Sequence, residues 1–225
     1  LMRIQSSGLL VNHEFQASPG FTLFSPLVRD EVYLLNMQGE VVHEWFVKGN
    51  AYGYAYLLNN GNLLASALAP GTDINDRESM REIREIDWEG RVVWKCNAPA
   101  QHHDFVRLSN GNTAYLGFEK LSSHASQRVV GGIPGSEING KAILGDYIRE
   151  ITSDGHIAWD WRGEDNMEIE KFPLHDITSR EEFAHANSLF DLNGNGYLVS
   201  FRRSSLLFMI ERTTKRVTWF RHEPH

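Results

Sequence analysis

The chain has 225 residues, of which 41% are hydrophobic and 11% aromatic, so it contains enough apolar material for one large or two small domains. Its net charge is −7 and its basic residues are scattered, which argues against nucleic acid or an anionic membrane as the main partner. Cys96 is the only cysteine, which excludes an internal disulfide and a multi-thiolate metal site. Neither a transmembrane run nor a signal peptide is visible, and the compartment stays open between exported and cytoplasmic.

Two short phrases recur along the chain and predict a repeated unit. The first reads "GEVVHEW" from Gly39, "GRVVWKC" from Gly90 and "GHIAWDW" from Gly155, with a fourth copy, "KRVTWFR", from Lys215. The second is the triplet Asn-Gly-Asn, which begins at positions 60, 110 and 193. An aromatic residue stands four positions after each anchor of the first phrase, and we expect these side chains to pack inside the fold: His43, Trp94, Trp159 and Trp219.

Each unit is predicted to consist of short β-strands. Asn-Gly between alternating apolar runs is typical of a hairpin whose two central turn residues have positive φ. Matching runs are "AYLLNNGNLLASAL", "FVRLSNGNTAYLGF" and "SLFDLNGNGYLVSF", and an earlier hairpin turns at Gln38-Gly39. The count is two strands before Gly39, twelve in three units and one after Lys215.

Four-stranded repeats of this length are typical of a β-propeller. The predicted fold class is therefore all-β, a β-propeller of four-stranded blades, with residues 1–225 as a single domain holding about four blades' worth of sequence. The predicted blades lie near residues 39–89, 90–154 and 155–214, with partial blades at both ends. Residues 121–146 and 162–183 interrupt the period, and they are either lids or binding loops, or a simple surface elaboration.

Polar residues at equivalent repeat positions are the candidates for a site. Eight residues before each Asn-Gly-Asn stand Tyr52, His102 and His185. Equivalent positions on successive blades surround one axis at one height, so histidines there would converge on a central space. The alternative is that these histidines only bond neighbouring backbone, and the residues alone favour neither. The neighbouring polar side chains complete the candidate set: His102, His103, His185, Asn187 and Arg202.

Metal and cofactor sites are not predicted. His102, His103 and Asp104 could bind a metal with His185, but adjacent residues of a strand face opposite ways. The sequence also lacks the zinc, nucleotide-phosphate and nucleophile-elbow motifs.

At these residues the sequence resembles the arylsulfate sulfotransferases. The similarity lies in "GFTLFSP" with "VYLLNMQGEVVHEW", in "HHDFVRLSNGN" and in "HANSLFDLNGNGYLVSFR", and it runs from about Gly20 to Arg221. The resemblance implies a six-bladed propeller that transfers a sulfuryl group from a phenolic sulfate ester to another phenol. It implies a ping-pong cycle through a sulfated histidine, without a nucleotide sulfate donor, and small-molecule partners only, an aryl sulfate and a phenol.

The resemblance also implies residue roles. The family's H-x-N pair falls on His185 and Asn187, its S-x-R arginine on Arg202, and a further histidine on His102 or His103. These side chains would hold the sulfuryl oxygens or move the phenolic proton. The family's sulfated histidine looks like part of a later Gly-Gln-His motif, whereas this chain ends "WFRHEPH", so we expect it to be incomplete at the C-terminus.

Two other classes of function compete with sulfuryl transfer. One is a non-catalytic propeller that binds an anionic or aromatic ligand or a protein. The other is a lyase or hydrolase on the same scaffold, because a fold does not fix a function.

Overall fold

The structure is a computed structural model that describes residues 8–13, 15–50, 53–73, 76–140 and 142–223. Tyr52 lies outside the described residues. Within these ranges the protein is all-β, as predicted, with two short helices, α1 (Ser123–Arg128) and α2 (Gly163–Asn166), and a 3-10 turn at Ile169–Lys171. None of the described helices has the length or apolarity to cross a membrane.

Seventeen strands are present in the described part of the chain. In chain order they are β1 Thr22–Phe24, β2 Glu31–Leu35, β3 Val41–Phe46, β4 Ala55–Leu57, β5 Leu63–Leu68, β6 Met80–Ile86, β7 Val92–Pro99, β8 Gln101–Arg107, β9 Thr113–Lys120, β10 Gly131–Ile133, β11 Leu144–Ile151, β12 Ile157–Arg162, β13 Leu174–Ser179, β14 Ala186–Asp191, β15 Gly196–Phe201, β16 Leu206–Glu211 and β17 Val217–His222.

Most of these strands form antiparallel sheets whose neighbours follow one another along the chain. The orders are β1-β2-β3, β4-β5-β6-β7, β8-β9-β11-β12 and β14-β15-β16-β17. The strands of these four sheets agree with the predicted count: two lie before Gly39, twelve lie between Gly39 and Lys215, and one follows Lys215. The two additional strands, β10 and β13, lie in the two insertions and pair with each other in parallel.

The predicted blade limits are wrong by one strand. Each four-stranded sheet begins with the strand that enters an Asn-Gly turn, so the sheets span residues 55–99, 101–162 and 186–222. The strand that carries the Gly-led phrase closes its sheet. The physical reason is the tight turn at the start of that phrase, which pairs the strand with its predecessor, as β2 pairs with β3 around Gly39.

The Asn-Gly-Asn triplets form hairpins, but only the third has the predicted pair of positive φ angles. There Asn193 and Gly194 have φ of 54° and 78°. In the first two turns only Gly61 and Gly111 are left-handed, with φ of 85° and 87°. The asparagine side chain before each of these glycines accepts the N–H two residues on. A left-handed glycine after a type I turn is the other common short hairpin connection.

The chain divides into two compact units, Leu1–Thr72 with Glu82–Lys95 and Asp73–Arg81 with Cys96–His225. The core of the first is centred on Trp45, which is 1% exposed and donates its indole N–H to the Asp87 carbonyl at 3.0 Å. The core of the second contains Trp161, also 1% exposed, whose indole donates to the Lys215 carbonyl at 3.0 Å.

The buried aromatic positions differ in part from those predicted. Trp159 is buried and donates to the Arg212 carbonyl at 2.8 Å, whereas Trp219 is 46% exposed. Trp45 and Trp161 stand two residues after the predicted positions in their copies. Residues two apart share one face of a strand, so in these two copies the packing face was predicted correctly but the deepest position on it was not. The prediction that Trp219 packs inside the fold was wrong.

Both insertions contribute to the core of the second unit. Their buried apolar side chains include Ala125, Val129, Ile169 and Phe172. These portions are therefore packed elaborations of the sheets.

A buried ion pair gives a test of this packing. Glu150 is 0% exposed and binds Arg212 twice, at 2.8 and 2.6 Å, and Tyr197 Oη at 2.7 Å. Arg212→Ala leaves the buried Glu150 carboxylate without its cationic partner. We therefore expect the free energy of unfolding to fall by about 3 kcal/mol. The control is Lys171→Ala, which breaks an ion pair with Glu168 whose side chains are 61% and 70% exposed, and it should change little. Urea unfolding curves measure both, and equal losses would contradict the prediction.

Candidate functional site

The three candidate histidines contact one another in the second unit. His102 and His103 belong to β8, and His185 immediately precedes β14. Ring centroids lie 5.2 Å apart for His102 and His103, 4.8 Å for His103 and His185, and 5.9 Å for His102 and His185. Equivalent positions of two repeats therefore meet in space.

Unusual backbone conformations bring these rings together. We expected adjacent strand residues to face opposite ways, and for His102 and His103 this is wrong, because their Nδ1 atoms lie 3.0 Å apart. The cause is the left-handed φ of His103, 49°, within a shift of the pairing between β8 and β9. Ala184 and His185 are also left-handed, with φ of 66° and 61°. Such conformations are uncommon for residues other than glycine and concentrate at functional sites.

Each ring nitrogen of the cluster faces another polar group. His103 Nε2 lies 3.5 Å from His185 Nε2. His102 Nε2 lies 3.3 Å from Asp146 Oδ1, and His185 Nδ1 is hydrogen-bonded to Glu182 Oε2. The three imidazoles thus form a row with a carboxyl group at each end.

One end of the row is a buried, ionised carboxylate. Glu182 is 2% exposed and also forms ion pairs with Arg77 Nη1 and, at 3.2 Å, with Arg203 Nε. Burial acts to raise the pKa of Glu182, but the hydrogen bond from His185 and the charges of His185, Arg203 and Arg77 outweigh it and lower the pKa to about 2.

The other three groups of the row, His103, His102 and Asp146, have pKa values that are shifted towards their uncharged forms. Burial lowers the pKa of His103 to about 3, with further contributions from His102, His185 and Arg202, and burial also holds the pKa of His102 well below its usual value. Burial raises the pKa of Asp146 to about 7, although its Oδ1 accepts the Ala186 N–H at 2.8 Å.

The remaining two candidates lie beside this cluster. The Arg202 backbone N–H donates to the His185 carbonyl at 2.9 Å, and Asn187 Oδ1 accepts the Ser200 hydroxyl at 2.6 Å. Asn187, Ser200 and Arg202 line one open cavity of about 270 Å³, together with Arg221. The histidines are not among the residues that line this cavity. Arg202 lines this cavity with Ser200, whereas the neighbouring Arg203 forms an ion pair with Glu182.

Sequence reasoning missed four charged residues of the site: Arg77, Asp146, Glu182 and Arg203. Glu182 stands three residues before His185, and this E-x-x-H spacing could have revealed it. Asp146 lies 40 positions from its partner Ala186, so no local signal marks it. Asp104 is structural, since its Oδ2 accepts the Leu189 N–H at 2.8 Å and ties β8 to β14. Among the described residues, no three His, Cys, Asp or Glu side chains are arranged to hold a metal ion.

Because Glu182 is buried and ionised, we expect the free energy of unfolding to depend on the protonation of this carboxylate at low pH. Its pKa is depressed from 4.5 to about 2, so its stabilising contribution is complete above about pH 4.5 and is lost as the pH falls towards 2. We expect Glu182→Gln to lower the free energy of unfolding by about 2–3 kcal/mol at pH 7 and to flatten its acid dependence. The control is Glu181→Gln, whose side chain is 40% exposed beside Arg77. Urea unfolding from pH 6 to 2.5 measures both, and identical acid slopes for the two variants would refute the assignment.

Comparisons with known proteins place the chain in a family. A family model described as Arylsulfotransferase (ASST) matches residues 56–224, whereas no curated protein matches the chain. Among solved structures, hydrazine synthase of Kuenenia stuttgartiensis is similar with a TM-score of 0.50 and 16% identity, over 84% of this chain and 48% of that one. A protein of unknown function from Bacteroides caccae has a TM-score of 0.43 and 12% identity, over 91% and 73% of the two chains.

The likeness to hydrazine synthase concerns the fold alone, and the chain spans about half the length of that protein. The family model, in contrast, covers most of the described strands, including both strands that carry the histidines. The chain therefore belongs to the arylsulfotransferase family.

Proposed function

We propose that this protein transfers a sulfuryl group from a phenolic sulfate ester to a phenol, without a nucleotide sulfate donor or other cofactor. Family membership supports the reaction class. The observation that carries the proposal is the row of three imidazoles from two repeats, two of them buried, which ends at the ionised Glu182. Asn187 and Arg202 stand beside this row at an open cavity.

We infer that the four-stranded sheets are blades of a β-propeller, with residues 1–225 in one domain. The resemblance to the arylsulfate sulfotransferases implies six blades for a propeller of this kind. The meander order of each sheet and the repetition of the same phrases support this inference. In a propeller the innermost strands of the blades surround the axis, and here β8 and β14, the first strands of their sheets, would carry the histidines to it.

Arg202 and Asn187 are the groups that bind the sulfuryl oxygens in this proposal. Sulfuryl transfer resembles phosphoryl transfer, with a loose transition state and negative charge on the equatorial oxygens, so positioning and electrostatic stabilisation supply most of the catalysis. Arg202 offers a permanently charged planar fork, and Asn187 offers an uncharged amide N–H. The Ser200 hydroxyl fixes the amide by donating to its oxygen.

His185 is the proton donor in this proposal. When the S–O bond of the ester breaks, its electron pair goes to the phenolic oxygen, which takes a proton from the His185 imidazolium. The acceptor phenol returns a proton to His185 in the second half of the cycle. Glu182, whose pKa is lowered to about 2, accepts the hydrogen bond from His185 Nδ1, while the lowered pKa values of His102 and His103 keep those rings neutral.

The three histidines are poor candidates for the sulfated residue. A nucleophilic imidazole needs a lone pair directed at the sulfur atom. His185 has no such lone pair in the proton-donating form proposed for it, and the ring nitrogens of His102 and His103 face Asp146, each other and His185. We therefore assign the cluster to proton transfer and the sulfated histidine to another position.

The full protein should cleave 4-nitrophenyl sulfate when a phenol is present and carry sulfate on a histidine after brief exposure to the donor. Release of 4-nitrophenolate and peptide mass spectrometry measure the two events. Sulfate on His102, His103 or His185 would overturn the role given to the cluster. Binding of the ester without transfer to any phenol would favour a binding module instead.

Replacement of the charged fork gives a second test. Arg202→Ala should lower kcat/KM by about 10²–10³-fold, the usual effect of removing one donor to a developing oxyanion. The matched control is Arg107→Ala, since that arginine donates to the Gly111 carbonyl at a hairpin turn, at 3.0 Å. Similar losses in both variants would point to a general effect of charge or folding.

A further inference from the structure

We propose that Glu182, His185, His103, His102 and Asp146 form one proton relay, in which Asp146 stores the proton that His185 uses. The use of the relay in catalysis rests on the proposed function, whereas its existence does not. The links are continuous: the Glu182 hydrogen bond to His185 Nδ1, 3.5 Å from His185 to His103, 3.0 Å from His103 to His102, and 3.3 Å from His102 to Asp146.

The hydrogen bonds of the row can run in two directions, which differ in which group of each pair donates the proton. In the first, the Asp146 carboxyl donates to His102 Nε2, His102 Nδ1–H to His103 Nδ1, His103 Nε2–H to His185 Nε2, and His185 Nδ1–H to Glu182. In the second, the first three bonds reverse, which leaves Asp146 as a carboxylate and His185 as an imidazolium. One proton moves across each of the three reversed links, so the number of protons and the net charge are unchanged.

Two buried atoms at the Asp146 end support this assignment. Within the described residues, neither His102 Nε2 nor Asp146 Oδ2 has a hydrogen-bond partner in standard geometry, although both are buried and the Gly117 and His185 backbones act on the pKa values of His102 and Asp146. Buried polar atoms rarely remain unsatisfied. A proton shared between His102 Nε2 and the Asp146 carboxyl group would give His102 Nε2 a partner and close the link.

The charges around the row suit a mobile proton. Arg77 and Arg203 hold Glu182 ionised, and Arg81 and Arg202 act on His102 and His103 to disfavour a positive charge on those rings. Burial raises the pKa of Asp146 to about 7, so its proton is present or lost within the physiological range. The middle rings can therefore pass a proton without holding a charge.

The relay has a spectroscopic signature that a structural cluster lacks. Transfer of the Asp146 proton along the row changes His102 from the Nδ1–H to the Nε2–H tautomer, and His103 from Nε2–H to Nδ1–H. We expect both rings of the ¹⁵N-histidine-labelled protein to exchange tautomers together, without passing through imidazolium, and this exchange to stop as the pH rises above about 7 and Asp146 loses its proton. Long-range ¹H–¹⁵N spectra from pH 5 to 9 show this directly, and the exposed His156, which lies outside the row, is the reference ring.

Asp146→Asn is the decisive variant. Its amide oxygen, in the place of Oδ1, accepts the Ala186 N–H and at the same time faces His102 Nε2, so it holds His102 as the Nε2–H tautomer and has no proton to give to that ring. We expect no tautomer exchange in this variant and a kcat/KM at least 10-fold lower, with the pH dependence near 7 lost. The control is Asp160→Asn, which removes a half-exposed partner of Lys215 and should preserve both properties.

Fixed tautomers in the wild-type protein would overturn the relay, and so would exchange that persists in Asp146→Asn. If Asp146→Asn does not fold, the wild-type spectra alone decide. If the wild-type protein transfers no sulfate, the proposed function fails while the spectra still test the relay. If transfer occurs and Asp146→Asn matches the wild-type rate, the relay is not used in catalysis.

Discussion

The site depends on one buried carboxylate. Glu182 is almost fully enclosed, and an ion in that position requires compensating partners. Arg77, Arg203 and His185 supply them from three separate segments of the chain. Because removal of any partner leaves buried charge uncompensated, this one interaction fixes the orientation of His185. The orientation of His185 in turn places its Nε2 against His103.

Backbone strain is the second part of the arrangement. His103, Ala184 and His185 adopt left-handed conformations that cost side-chain-bearing residues free energy. The surrounding sheets provide the compensation, since the Arg202 and Arg203 N–H groups bond the carbonyls of His185 and Ala184, both at 2.9 Å. Two regular antiparallel sheets thus hold two irregular strand ends in contact. Regular β-structure alone would have sent His102 and His103 to opposite faces.

The regular part of this fold was predictable from sequence because its signals are local. Asn-Gly turns and alternating apolar runs determine each hairpin within about a dozen residues, so the strands of the antiparallel sheets follow from the repeats. The parallel pairing of β10 with β13 was not predictable, since it joins two insertions without a turn between them. The turn types were not predictable either, because Asn60 and Asn193 both precede a glycine and yet only Asn193 has a positive φ.

Only the part of the candidate site whose residues occupy equivalent positions in the repeats was predictable from the sequence. Repeat position predicted that His102 and His185 lie together, and their ring centroids are 5.9 Å apart. Asp146 and Arg77 come from distant segments, so no spacing identifies them. The missed residues are therefore those that set the charge state of the histidines. A sequence repeat can predict which side chains meet, whereas the protonation of those side chains depends on buried charges that arrive from elsewhere in the chain.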